Sequence, residues 1–88
     1  MDPLKDVRKK ISTIDIKIIA LLAKRKNLVS KVGRIKKKHS ISITDKLRES
    51  TILKKYSSLA KKKGLDSKLV QKIFKSLISY SKSIEKKI

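Results

Sequence analysis

The sequence predicts an all-α chain of three helices, the first much longer than the others, and three observations carry that expectation. Apolar residues recur at alternating steps of three and four along most of the chain. Pro3 and Gly64 stand where such runs begin or stop, the positions that helix starts and ends favour. No strand pattern competes with these runs over a comparable length.

Leu4, Val7, Ile11, Ile14, Ile18, Leu21, Arg25, Leu28, Val32 and Ile35 form one unbroken seam of the coiled-coil kind, apolar everywhere except at Arg25. Pro3 suits a first helical position with Asp2 before it, and Gly33 is the only weak helix former well inside the run. The first helix is therefore predicted from about Pro3 to about Lys38, a rod of roughly 50 Å at ~1.5 Å per residue, against ~30 Å for a small domain. Two short helices of the same chain cannot cover such a length, so the rest of the seam calls for a second subunit. From Lys37 to Thr44 the period is lost and a connector is expected. Asp45 or Thr44 caps the second helix, whose apolar face is Ile52, Leu53, Tyr56, Leu59 and Ala60, and which ends near Lys63 before a left-handed Gly64. Asp66 or Ser67 caps the third. Leu69, Val70, Ile73, Phe74, Leu77, Ile78, Ser81, Ile84, Glu85 and Ile88 share one broad face of it.

Length and composition narrow the function classes. At 88 residues the chain is expected to be one domain, 1–88, with too little surface to bury on its own for high stability. No run approaches the ~18 apolar residues of a membrane span, and charged residues follow the N-terminus where a leader would be apolar, so a cytoplasmic protein is expected. Without cysteine there are no disulfides or thiolate metal sites, and a lone His39 cannot build a histidine cluster; no metal or cofactor is expected. The net charge of +19 points to an anionic partner without choosing among nucleic acid, a membrane surface and a small acid. Its division says more. Lysine is the default cation, and only Arg8, Arg25, Arg34 and Arg48 are arginines, the residue whose planar fork grips a carboxylate through two bonds.

The chemistry lies where polar side chains interrupt apolar faces. Arg25 occupies a seam position, where an unpaired charge out of water costs several kcal/mol. Arg25, Val29, Val32 and Lys36 share one face, so two cations flank an aliphatic floor over roughly 16 Å. That spacing suits a single ring with its substituents; alternatively, Arg25 pairs with an acid of a partner helix such as Asp15 and Lys36 is solvated. Asp45, Arg48, Glu49 and Ile52 open the second helix on one face, either as an anion- or hydroxyl-holding N-terminus or as a cap with a surface ion pair. Ser81 and Glu85 carry the third helix's apolar stripe into its last turns, where a frayed end is the plain alternative.

Taken together these residues resemble the all-helical, AroQ-type (type II) chorismate mutases. The resemblance runs from about Leu4 to Glu85 and includes Val7-Arg8-Lys9-Lys10-Ile11, Ile14-Asp15, Leu21-Leu22-Ala23-Lys24-Arg25, Leu28-Val29, Val32-Gly33, Lys36, Asp45-Lys46-Leu47-Arg48-Glu49, Gly64-Leu65-Asp66 and Phe74 through Ser81. It implies an intertwined homodimer with two equivalent sites that convert chorismate to prephenate without metal or cofactor. It also implies roles: Arg8 of the partner, Arg25 and Arg48 for the two carboxylates, Ser81 to complete a carboxylate site, and Lys36 for the ether oxygen. Glu49, with backbone near Asp45, would take the ring hydroxyl, and Val32, Ile52 and Ile78 would be apolar walls. Many bacterial members have a glutamine at the position of Glu85; a carboxylate cannot donate the same hydrogen bond, so Glu85 is expected to work as a neutral acid. Arg34 is left over and is expected to face solvent. Helical geometry bears on the dimer independently. Arg8 precedes Arg25 by seventeen residues, roughly 25 Å and about 100° around the helix, so one chain cannot bring both to one small ligand.

Two alternatives remain. An isochorismate pyruvate lyase on the same fold would also hold an enolpyruvyl dianion, although the Asp45, Arg48 and Glu49 set favours the mutase. A basic helical protein that coats nucleic acid fits the charge and the clusters Lys36-Lys37-Lys38 and Lys61-Lys62-Lys63, but aromatic residues are only 3% and no binding motif is present, which makes it the weaker reading.

Overall fold

Aspartates start all three helices. In the computed structural model, which describes residues 2–88, α1 spans Pro3–Lys38, α2 Lys46–Lys62 and α3 Ser67–Lys86. Asp2 accepts a hydrogen bond from the Lys5 N–H at 3.2 Å, Asp45 from Arg48 at 3.0 Å and Asp66 from Lys68 at 2.9 Å. Each cap satisfies a donor that the helix itself cannot, worth about 1 kcal/mol. Asp45 and not Thr44, and Asp66 and not Ser67, therefore hold the cap positions.

Helices α1 and α2 stop in the same way. Past α2, the Leu65 N–H bonds the Ala60 carbonyl at 2.9 Å while Gly64 has φ of 72°. Past α1, the Ile41 N–H bonds the Lys36 carbonyl at 2.8 Å with Ser40 at φ of 54°. Both are left-handed termini that recover otherwise orphaned carbonyls. Glycine adopts that conformation freely, whereas a residue with a Cβ does so at roughly 1–2 kcal/mol.

Helix α3 packs on both α1 and α2, which pack on it and not on each other. Contacts between α1 and α3 climb both sequences together, Arg25 meeting Ser81 and Lys37 meeting Ile88, so these two helices run parallel. Contacts to α2 descend as those of α3 rise: Glu49 with Lys82, Tyr56 with Phe74, Ser57 with Gln71. That pair is antiparallel. The chain measures 59 × 25 × 14 Å, and the first half of α1 projects beyond the other helices.

Every residue from 2 to 24 is exposed, and Arg25 is the first that is not. Ala60 is the one buried apolar residue among those described, while Leu4, Val7, Ile11, Ile14, Ile18 and Leu21 of the seam are all at least half exposed. The middle of α1 is apolar beyond the seam as well, with Ile16 at 67% and Ile19 at 66% exposure. Leu59 of α2 and Leu69 and Ile73 of α3, expected on buried faces, also stay about half exposed, because the apolar faces of these helices are wider than the strips their neighbours cover. No helix is long and apolar enough to cross a membrane.

Gly33 is buried where α1 meets the end of α3. A Cβ there would lie 2.7 Å from Ile88 Cδ1 and 3.2 Å from the Cα of Glu85. The isoleucine tip can rotate away, but the Glu85 backbone can yield only if α3 moves. Gly33→Ala gains about 1 kcal/mol of helix propensity, which offsets that small shift. Gly33→Val is expected to overpack the crossing and cost about 1–3 kcal/mol, read as a lower urea midpoint at fixed protein concentration. An unchanged midpoint would show that the close approach is not required.

Candidate active site

A cavity of about 170 Å³ opens where the three helices meet. Helix α1 lines it with Arg25, Val29, Val32 and Lys36, α2 with Arg48, Glu49 and Ile52 behind the Asp45 cap, and α3 with Ile78, Ser81, Lys82 and Glu85; Ile43 of the connector closes the edge. The faces expected from helical spacing thus come together. Each helix contributes residues three and four apart, the separation at which side chains stack along one side.

Within its own chain Arg25 is held from one side by α3. Its Nη1 donates to Ser81 Oγ at 2.6 Å and to the Leu77 carbonyl at 3.4 Å. Ser81 is buried and donates its own hydrogen bond to the Leu77 carbonyl at 2.8 Å. These bonds fix the guanidinium from one side and leave Nη2 and Nε without a partner among the described residues, the donors a carboxylate needs. Arg48 makes no side-chain hydrogen bond or ion pair among those residues either; its backbone N–H is the one held by Asp45.

Lys36 is drawn inward by two acceptors, Glu85 Oε1 at 2.8 Å and the Ile43 carbonyl at 2.9 Å. An ammonium has three protons, so one remains for a ligand. The Lys36 and Glu85 side chains are 20% and 6% exposed, which places this ion pair largely out of water. Glu85 Oε1 lacks hydrogen-bond alignment despite the short distance, so the attraction is Coulombic. On the opposite wall, Lys82 Nζ lies 2.8 Å from Glu49 Oε1, and Glu49 Oε2 is buried without a partner.

Ten of the eleven residues singled out from the sequence line this cavity: Arg25, Val32, Lys36, Asp45, Arg48, Glu49, Ile52, Ile78, Ser81 and Glu85. Arg8 does not. It is exposed on the projecting half of α1, in the second turn of the helix. Arg34 is exposed, as expected. Ile43 and Lys82 were not anticipated. Ile43 lies in a connector with no period to follow. Lys82 looks like any other lysine, its one clue being that it sits one helical turn before Glu85 on the same face.

The family model described as chorismate mutase type II matches residues 7–86. A chorismate mutase of Methanocaldococcus jannaschii is 37% identical over 98% of the chain and 87% of its own length. A bifunctional chorismate mutase/prephenate dehydratase of Buchnera aphidicola is 40% identical over 92% of the chain, and the T-protein of Haemophilus influenzae 35% identical over 92%. The chain spans only about a fifth of each of these last two, 21% and 22% of their lengths.

The Lys36–Glu85 pair makes a stability prediction. Lys36→Met leaves a buried carboxylate without its cation and is expected to lower the unfolding free energy by roughly 1–3 kcal/mol in urea titration. Adding Glu85→Met removes the stranded charge, and most of the loss should return. A double variant no more stable than Lys36→Met alone would mean that the pair is not coupled.

Proposed function

The chain belongs to the type II chorismate mutase family, and from that premise we propose that it converts chorismate to prephenate, a step toward phenylalanine and tyrosine, as a cytoplasmic homodimer of one-domain chains with no metal or cofactor. The observation that carries the reading is the convergence of Arg25, Lys36 and Arg48 from two helices on one cavity with Val32, Ile52 and Ile78 as apolar walls.

The rearrangement is intramolecular and pericyclic, so it needs no nucleophile and no proton abstraction. What it needs is a flexible dianion folded into a chair with its reacting carbons in contact, and a cation where the breaking ether bond gathers negative charge. Arg25, steadied by Ser81, and Arg48 carry unused donors for the carboxylates. Lys36 is the candidate for the ether oxygen. Because Glu85 and the Ile43 carbonyl already hold its ammonium, little reorganisation is required as charge develops, which is how fixed donors contribute about 10²–10³ in rate. Glu49, beside the Asp45 backbone, takes the ring hydroxyl.

The second subunit follows from three supports. The chain alone leaves residues 2–24 uncovered. Arg8 lies too far along α1 to reach its own cavity, as the helical rise requires. If two α1 helices pair antiparallel with Arg8 opposite the middle of the Arg25–Lys36 stretch, the two-fold axis crosses near Ile19. That is the centre of the section of α1 that is apolar nearly all round, as a helix enclosed on several sides should be.

Two outcomes are expected from kinetics. Arg8→Ala and Arg25→Ala should each lower kcat/KM at least ~100-fold, and refolding the two together should restore about a quarter of parental activity, because half the dimers are mixed and each keeps one complete site of two. Absence of any recovery would refute the shared site, and release of pyruvate in place of prephenate would refute the reaction. As a carboxylate Glu85 cannot donate toward the ether oxygen, whereas an amide can, so Glu85→Gln should raise kcat at a fixed pH; an unchanged kcat would remove Glu85 from contact with that oxygen.

A further inference from the structure

Lys82 is the one cation of the cavity that the sequence did not single out. It sits beside Ser81 on the last turns of α3, with its ammonium 2.8 Å from Glu49 Oε1. Both side chains are about a quarter exposed, at 28% and 25%. The other oxygen, Glu49 Oε2, is shut off from water and has no hydrogen-bond partner among the described residues. A carboxylate with one oxygen held by an ammonium and the other unsatisfied lacks a donor.

Four cations line the cavity, Arg25, Lys36, Arg48 and Lys82, against three acids, Asp45, Glu49 and Glu85. Lys82 and Glu85 are one turn apart on α3, and their partners lie on different helices: Lys82 pairs with α2, Glu85 with α1.

We propose that Lys82 is a positioning residue: it fixes the rotamer of Glu49 through Oε1, so that the carboxylate stands ready to accept the hydrogen bond of the substrate's ring hydroxyl. This rests on the chorismate reading of the site. The hydroxyl gains no charge during the rearrangement, so the contact serves ground state and transition state alike and should act on KM more than on kcat.

The experiment is a double-mutant cycle on the intact protein with chorismate as the probe: Lys82→Met, Glu49→Ala, the pair together, and Lys82→Arg. Lys82→Met should raise KM about tenfold with kcat within about threefold, and should add less than about twofold once Glu49 is already alanine, because its action passes through that carboxylate. Lys82→Arg, which keeps the charge, should return KM close to the parental value. An equal Lys82→Met penalty in the Glu49→Ala background would overturn the proposal in favour of direct contact between Lys82 and substrate. A lowered melting temperature with unchanged KM would overturn it in favour of a plain clasp between α2 and α3. If the parent does not consume chorismate, the functional reading falls and this inference with it; a working parent with an indifferent Lys82→Met variant removes this inference alone.

Discussion

The backbone of α3 lies this close to α1 because position 33 carries no side chain larger than a hydrogen. That approach sets the register of two parallel helices. With Gly33 against Glu85, the carboxylate comes within reach of Lys36, and Ser81, one turn earlier, comes within reach of Arg25. Helix α2 is then held to α3 from the other side by Lys82 with Glu49 and by Tyr56 with Phe74. The cavity is a product of this single register, since a slip of one residue along α3 rotates each polar side chain by about 100° and dissolves both pairs.

In a chain so short of negative charge, most acids have a definite task. Asp2, Asp45 and Asp66 each begin a helix. Glu49 and Glu85 form the two ion pairs among the described residues, both at the cavity and both between helices. Asp6 and Asp15 remain, on the projecting half of α1. Isolated surface ion pairs contribute little to stability. Those at the cavity are shielded enough to orient side chains, and orientation is what a reaction without covalent catalysis requires.

The helices were legible because their causes are local. The seam, the caps and Gly64 act within a turn or two of themselves, so the limits of α1 and the identity of the faces followed from periodicity. The extent of coverage did not follow: Leu59, Leu69 and Ile73 share the right faces but lie outside the strip that a neighbour reaches. The left-handed conformation of Ser40 was hidden because serine does not announce it as glycine does at 64. The bond from Arg25 to Ser81 was hidden because the two are fifty-six residues apart in sequence, and only the folded register brings them together. Lys82 was masked by abundance, one lysine among many.

With the acids so committed, the outer surface carries an almost unopposed positive field, and this sets two requirements against each other. In the proposed dimer, two copies that join along α1 would come together against the mutual repulsion of +19 charges on each, which dissolved salt screens over a Debye length of about 8–10 Å. The same salt weakens the long-range pull that gathers a dianion toward its cavity. Ionic strength therefore helps the assembly and hinders the capture of its ligand, so an intermediate value serves both best.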